Sequence, residues 1–439
     1  MDAKTLVDYA GTLDCIHCGL CLRTCPTYQL TGRESSSPRG RIHLMRGVAE
    51  ARLDPCSPAY EEELEFCLVC RHCESVCPAG VRFGEMMEHA RDALGRSVRR
   101  PLLARLSRWI GFRALLPRRW ALRLAFSALR LAQRSGALRL AAPLFGERGR
   151  TLGSLPRVPP RSERRLLPAR TPARGERRGA AAVLEGCAMA ELYARVNRAS
   201  VETLASIGFE VLAPAGHVCC GALHAHNGDL AGARRLARAT LRAFDALVDE
   251  AGRPLPIVVN SAGCGAHMKS FDRLLATDPE LAGRAAAFAA RTRDFSEFVA
   301  ERAPESFRPR LAPGALPGPV AYDDPCHLCH GQQIRSQPRA LLDRVQGLQR
   351  LELEDSESCC GSAGIYSFLR PSDSQAIFAA KLRALEDCGA AVVVTANPGC
   401  QLQWESGLAR AGSPVRVLHL AEVIALGLRD APACAAHGQ

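Results

Sequence analysis

The hydrophobic pattern changes character along the chain. Up to about residue 98 it follows a helical beat: Ile42-His-Leu-Met-Arg-Gly-Val48 and Phe83-Gly-Glu-Met-Met-Glu-His-Ala-Arg-Asp-Ala-Leu94 each place their apolar side chains on one face. Ser35-Ser-Ser-Pro-Arg-Gly-Arg41, just before the first of these, is a turn signal. Next, Leu102, Leu103, Leu106, Ile110, Leu115, Leu116, Trp120, Leu122 and Leu124 interleave with arginines, which predicts basic amphipathic helices. From about Pro143 to Gly179 the chain turns Pro-, Gly- and Arg-rich and predicts a linker with little regular structure. Beyond residue 180, short β-branched runs alternate with helical stretches, the signature of parallel α/β layers. No apolar run approaches the roughly eighteen residues that would cross a bilayer.

The α/β part is an internal repeat. Ala181-Ala-Val-Leu-Glu-Gly-Cys187, Phe209-Glu-Val-Leu-Ala-Pro214, Cys219-Cys220-Gly221 and Ile257-Val-Val-Asn-Ser-Ala-Gly-Cys264 form the first copy. Val320-Ala-Tyr-Asp-Asp-Pro-Cys326, Leu351-Glu-Leu-Glu354, Cys359-Cys360-Gly361 and Ala391-Val-Val-Val-Thr-Ala-Asn-Pro-Gly-Cys400 form the second. Cys187 to Cys219 and Cys326 to Cys359 are 32 and 33 residues apart, and Asp294-Phe-Ser-Glu-Phe-Val-Ala300 is answered by His419-Leu-Ala-Glu-Val-Ile-Ala425. Every one of these cysteines follows a strand, and ligands in open parallel sheets gather at the carboxyl ends of strands. Four cysteines per copy are therefore expected to converge: Cys187, Cys219, Cys220 and Cys264, then Cys326, Cys359, Cys360 and Cys400. Adjacent cysteines do not readily bridge each other, and the glycine after them permits a tight turn over a bound group. Metal or cluster binding, a reactive dithiol and a structural role all stay open for these eight. Cys329, with His327 and His330 beside it, is a further candidate ligand without a counterpart in the first copy.

The strongest chemistry lies in the helical part. Cys15-Ile-His-Cys18-Gly-Leu-Cys21-Leu-Arg-Thr-Cys25-Pro26 returns as Cys67-Leu-Val-Cys70-Arg-His-Cys73-Glu-Ser-Val-Cys77-Pro78. Each reads C-x2-C-x2-C-x3-C-P, the run by which bacterial-type ferredoxins hold 4Fe-4S clusters, the fourth cysteine serving the other motif's cluster. The expected sets are Cys15, Cys18, Cys21 and Cys77, and Cys67, Cys70, Cys73 and Cys25. Each proline is expected to stop a local helix from running through the ligand. Three cysteines at two-residue gaps fit a tetrahedral zinc ion poorly. Disulfides fit no better, because Met1-Asp-Ala-Lys4 leads in without an apolar signal segment. Arg39 and Arg41 either donate hydrogen bonds near a cluster or solvate a helix start.

Composition bounds the rest. The chain has 439 residues, 47% of them hydrophobic, enough for two or three cores. Its net charge of +12 is unevenly spread: residues 99–178 hold 21 Arg against Glu147, Glu163 and Glu176, a net +18 that leaves the remainder at −6. A basic connector thus joins mildly acidic domains. Only 5% of residues are aromatic, which argues against a stacking platform for single-stranded nucleic acid, and no nucleic-acid partner is expected. The connector suits anionic lipid headgroups or a partner subunit, or is a solvated spacer.

The two ferredoxin motifs, Ser37-Pro-Arg-Gly-Arg41, Leu184-Glu-Gly-Cys187, both CCG motifs and Thr395-Ala-Asn-Pro-Gly-Cys400 together resemble the family of glycolate oxidase (glycolate dehydrogenase) iron-sulfur subunits. The resemblance covers nearly the whole chain apart from the connector. It implies an α/β protein with a helical two-cluster ferredoxin domain over 1–98, a basic connector over 99–180, and CCG cysteine-rich domains over 181–305 and 316–430. It also implies two 4Fe-4S clusters on the eight ferredoxin cysteines, with further clusters on the CCG cysteines an open question. Heterodisulfide reductase-like proteins that share the CCG domains continue to a CxxC, where this sequence has Cys264-Gly-Ala-His267 and Cys400-Gln-Leu-Gln403. The implied role is electron transfer from FAD-containing glycolate oxidase subunits, which oxidise glycolate to glyoxylate, to a quinone or other membrane acceptor. This chain lacks a G-x-G-x-x-G at a strand-to-helix junction, so the flavin is expected on the partner. The implied location is the cytoplasm, peripheral to the inner face of the membrane. The alternatives are a lactate, glycerol-3-phosphate or heterodisulfide-type complex, a thiol-disulfide reductase, and a zinc protein that binds nucleic acid through its arginines.

Overall fold

A computed structural model describes residues 8–98, 100–214, 216 and 218–429; the Met1–Lys4 stretch, Arg99 and Asp430, at the margins of the expected segments, lie outside them. The N-terminal part is helical. Helix Pro38–Ala49 starts where Ser37 accepts a hydrogen bond from the Gly40 amide at 3.0 Å and Pro38 supplies a first-turn residue that needs no donor. It packs with helices Pro58–Phe66 and Phe83–Ser97 through Met45, Leu64, Met86 and Met87. Pro26 departs from expectation: it opens helix Pro26–Thr31 with Cys25 as the residue before it, so the proline begins a helix beyond the ligand instead of ending one.

The connector is more regular than its composition suggests. Helices Leu102–Trp109 and Arg119–Arg134 form as the leucine spacing predicts. Within the expected linker, however, lies helix Gly146–Gly153, whose Glu147 bonds Ser372 of the second cysteine-rich copy and whose Thr151 is buried. Arg164, also in that stretch, is almost fully buried, paired with Glu191 at 2.7 Å and donating to Ser127 at 2.9 Å. Long-range packing overrides local composition there.

The repeat folds as two matching α/β layers. The first sheet contains β1 (Arg170–Thr171), β2 (Gly179–Val183), β3 (Phe209–Leu212), β4 (Ile257–Val259) and β5 (Thr292–Asp294), in the order β1-β3-β2-β4-β5. All neighbours are parallel except β1, an antiparallel edge contributed by the linker. The second contains β6 (Val320–Tyr322), β7 (Arg350–Leu351), β8 (Val392–Thr395) and β9 (Arg416–His419), all parallel, in the order β7-β6-β8-β9. Apart from β1 the two orders correspond strand for strand, as the repeat requires. Helix Ala194–Ser206 of one copy packs on helix Leu420–Arg429 of the other, and Val196, Leu204, Phe298, Val320 and Ile424 belong to one continuous apolar core. The copies therefore face each other, and their strand ends open toward common ground.

Candidate functional site

The two ferredoxin loops share an unusual backbone. His17 and Val69, each two residues after the first cysteine of its motif, have φ of 55° and 53°, and Gly19 and Arg71, two residues further, have φ of 84° and 65°. Left-handed geometry is costly for a β-branched residue such as Val69, and it persists where the surroundings over-determine it. Its effect is to curl each loop around its thiols. Cys15, Cys18, Cys21 and Cys77 line one cavity of about 30 Å3, with Arg39 at its edge donating to the His17 carbonyl at 2.9 Å. Burial pushes the Cys21 thiol up to about 11.

Cys25, Cys67, Cys70 and Cys73 are the other expected set, and Cys73 also lines the first set's cavity. Burial pushes Cys25 and Cys73 up, and the charges of Cys67 on both, and of Cys70 and Cys25 on Cys73, add to it. Such thiols become thiolates when a metal supplies positive charge. Arg41 is not at a solvated helix start. It is fully buried, paired with Glu63 at 3.3 Å, and donates to Thr27 Oγ1 at 3.0 Å and the Ser36 carbonyl at 2.6 Å. Thr27 in turn contacts Cys25 Sγ at 3.2 Å, so Arg41 supports that thiol through one intermediary. The Val69 amide points at Cys67 Sγ at 3.4 Å. No disulfide occurs among the described residues. Four free thiols per set and an amide donor on sulfur fit a thiolate-held iron-sulfur cluster.

All eight repeat cysteines line a single cavity of about 730 Å3 between the two copies. Cys187 and Cys219 start or precede turns at the ends of β2 and β3, and Cys326 and Cys359 do so after β6 and β7. The glycine of each CCG motif is left-handed, Gly221 at φ 90° and Gly361 at 83°. A side chain on Gly361 would meet the Ser374 carbonyl at 2.6 Å. Each thiol is influenced by its neighbours in the set: Cys187 by Cys219, Cys220 by Cys219 and Cys264, Cys359 by Cys326 and Cys360, and Cys360 by Cys400. Neighbouring thiol donors pull Cys219 in one set, and Cys360 in the other, well below the usual thiol range. Asn397 Nδ2 donates toward Cys400 Sγ at 3.5 Å.

Of the other sequence candidates, Cys329 and His330 fall outside this cavity. Cys329 is buried with its thiol turned back to the Cys326 carbonyl at 3.8 Å. His330 stacks on His72 at 3.9 Å and contacts Ser75 at 3.0 Å. His327 does line the cavity. At the positions where related motifs carry a further cysteine, His267 is buried beside His226 and Gln403 donates to Ser374 at 3.1 Å. A larger groove of about 1060 Å3, lined by Arg195, Glu202 and Leu426 among others, contains no cysteine.

Sequence reasoning did not place the ferredoxin loops against the repeat. Cys70 packs with Cys359 of the second copy, inside an apolar cluster with Phe66, Leu68, Tyr366 and Ile377. Arg370 reaches Glu62 at 2.6 Å across the same junction. On the other side, Glu88 of helix Phe83–Ser97 holds His226 of the first copy at 2.7 Å, and Arg91 donates to the His226 carbonyl at 2.6 Å. Nor did it find the buried Asp323–Lys381 pair, 2.8 Å apart. An aspartate before a cysteine loop and a lysine in a helix carry no sequence signal that joins them.

The architecture is that of an iron-sulfur protein in which a two-cluster ferredoxin domain is joined to paired cysteine-rich domains. The 4Fe-4S dicluster domain family matches residues 11–81, and the CCG cysteine-rich domain family matches 181–269 and 320–405. The chain is 37% identical over 430 residues to a probable glycolate oxidase iron-sulfur subunit of Bacillus subtilis (strain 168), covering 96% of this chain and 95% of that protein. It is 34% identical over 419 residues to the glycolate oxidase iron-sulfur subunit of Escherichia coli (strain K12), covering 93% and 92%. Lactate utilization protein A of Geobacillus thermodenitrificans (strain NG80-2) is 29% identical over 238 residues, 54% of this chain and 95% of that protein. This chain belongs to the family of glycolate oxidase iron-sulfur subunits, and its cofactors are iron-sulfur clusters. Among the described residues no helix is long and apolar enough to cross a membrane.

Proposed function

We propose that the chain is the electron-transfer subunit of a glycolate-oxidising complex, taking electrons from an FAD-bearing partner and delivering them to a quinone at the inner face of the membrane. Cys15, Cys18, Cys21 and Cys77 hold one 4Fe-4S cluster, and Cys67, Cys70, Cys73 and Cys25 hold the other. The clusters, when bound, supply one-electron carriers that a two-electron donor such as glycolate reaches through flavin. The chain's own residues do the rest. Arg41 and Thr27 fix Cys25, Phe66 and Leu68 exclude water from the junction, and Cys70 brings the ferredoxin part into contact with the second CCG set. That contact is the observation on which the conduit reading rests, because it makes thiol ligands continuous from one domain to the next.

The connector supports membrane contact. Leu102, Leu103, Trp109, Trp120, Leu124 and Leu131 are exposed among arginines, a composition suited to an anionic interface. The test is Cys18→Ser in the assembled complex. Glycolate should still reduce the flavin, acceptor reduction should vanish, and the protein should hold about four fewer irons, the content of one such cluster. Intact acceptor turnover with that iron missing would refute the conduit.

A further inference from the structure

The cavity between the CCG copies has two ends with different chemistry. Its volume of about 730 Å3 falls in the range of small-molecule sites. The inner wall carries the repeat cysteines, and much of the remaining wall is apolar, with Leu68, Leu192, Leu223, Ile365 and Leu369. Helix Leu102–Trp109 edges it through Ala104, Ser107 and Arg108. The opposite face of that helix leaves Leu102 79% and Leu103 78% exposed, with Leu106 and Trp109 also in solvent. One short helix therefore has the cavity on one side and a surface fit for lipid on the other.

Most of the arginines that line the cavity are already engaged: Arg108 donates to the Asn227 carbonyl at 2.8 Å, and of these arginines, among the described residues, only Arg148 has no partner. Arg91 donates to the carbonyls of Leu64 and His226. Arg100 pairs with Glu61 and Glu65, and Arg370 with Glu62 and Asp373. These three cations offer little to a small anionic acceptor. What remains is a largely apolar wall with a few hydrogen-bonding groups, including His226, whose Nδ1 is held by Glu88 at 2.7 Å.

We infer that this cavity is the acceptor site for a lipid-soluble quinone, entered between helix Leu102–Trp109 and the 363–370 segment. The inference rests on the quinone-acceptor reading above and adds where the quinone binds. The reaction balances: two electrons come from glycolate oxidation at the flavin-bearing partner and two protons from solvent. The two ring carbonyls become hydroxyls, and no bond to the protein forms or breaks. His226, oriented by Glu88, is a hydrogen-bond partner for one ring oxygen.

The experiment uses the whole complex, a short-chain ubiquinone analogue and its azido derivative. Glycolate should reduce the analogue. Photolabel should fall in peptides spanning 102–109 or 363–373 and be displaced by excess unlabelled quinone. Ala104→Trp and Leu369→Trp, which narrow the entrance, should each weaken quinone binding by about tenfold, some 1.4 kcal/mol, with iron content unchanged. Label confined to other segments, or wild-type quinone binding by both variants, would overturn the site while leaving quinone reduction in place. A complex that reduces an artificial dye from glycolate but no quinone would sink the acceptor reading and this site with it.

Discussion

The two CCG copies share strand order, cysteine placement and the left-handed glycine, yet they are surrounded differently. In the second copy Asp323 and Lys381 form a buried ion pair at 2.8 Å, with Lys381 also donating to the carbonyls of Asp355 and Ser356. Burial pulls the Lys381 ammonium down, but Asp323 and the nearby Cys360 and Cys400 more than offset it, leaving it above its ordinary value. In the first copy Leu184 stands three residues before Cys187, as Asp323 stands before Cys326. Gly221 packs on Ala233 and Gly361 on Ser374, and seven residues beyond these come Thr240 and Lys381. Thr240 simply donates to the Cys219 carbonyl at 3.2 Å. The second set also meets Cys70, whereas Cys187 and Cys219 of the first pack on Leu122 and partly buried Phe126 of the connector. Duplication kept the thiol cage and changed what stands behind it: the ferredoxin domain in one copy, the connector in the other.

The comparison is tested most severely at the ferredoxin junction. Cys70→Ser removes a thiol from both the second ferredoxin set and the contact with Cys359, and is expected to lower acceptor reduction by about a hundredfold or more, roughly 2.7 kcal/mol. Cys56→Ser, at an exposed thiol between the motifs, should leave turnover and iron content as they are. Equal behaviour of the two variants would mean that electrons do not pass by way of Cys70 and its contact with the second copy.

The next largest effect concerns the buried pair. Lys381→Met strands the Asp323 carboxylate and should destabilise the second domain by about 3–5 kcal/mol, as loss of one partner of a buried pair does. Combined with Asp323→Leu, which recreates the first copy's leucine, most of that loss should return. Thr240→Val, at the matching place, should cost about 1 kcal/mol, one neutral hydrogen bond. Calorimetry of the holoprotein reads all three. If Lys381→Met and Thr240→Val melted alike, the contrast between the copies would be one of composition only.

What the sequence revealed follows how local each signal is. The ferredoxin loops were legible because a thiol cage within eleven residues is fixed by spacing, and the repeat was legible because β2, β4, β6 and β8 are buried runs that end at cysteines. Helix Gly146–Gly153 was not, since its glycines disfavour a helix and its place is set by the second copy's helices. Spacing leaves Arg41 between a donor near a cluster and a solvated helix start, and places Arg164 in a linker, whereas each is buried around a carboxylate remote in sequence. The convergence of eight cysteines on one cavity depends on the copies facing each other, which no spacing encodes.

The smallest effect lies where the copies close. Each final helix begins with the same reciprocal cap, built on a different side chain. Asp294 accepts from the Ser296 amide at 2.8 Å while Glu297 accepts from the Asp294 amide at 3.0 Å. His419 Nδ1 accepts from the Ala421 amide at 3.1 Å while Glu422 accepts from the His419 amide at 2.9 Å. The imidazole also donates from Nε2 to the Asn260 carbonyl of the first copy at 2.9 Å, which uses the neutral ring. Burial raises the Asp294 carboxyl from 3.8 to about 6 and lowers the His419 imidazole from 6.5 to about 4. Between about pH 4 and 6 the native state therefore holds a proton on Asp294 that the unfolded chain has released, and its contribution fades as pH rises through 6. Over nearly the same window the unfolded chain protonates His419 while the native state does not, so that contribution is complete above pH 6.5 and fades as pH falls through 4. The two slopes, each at most about 1.4 kcal/mol per pH unit, oppose each other in the wild type. His419→Asn should leave stability falling more steeply from pH 4 to 6 than in the wild type, and Asp294→Asn should leave it rising. Thermal unfolding of both variants at stepped pH reads the difference, and parallel curves for the two would show that neither cap titrates as its burial requires.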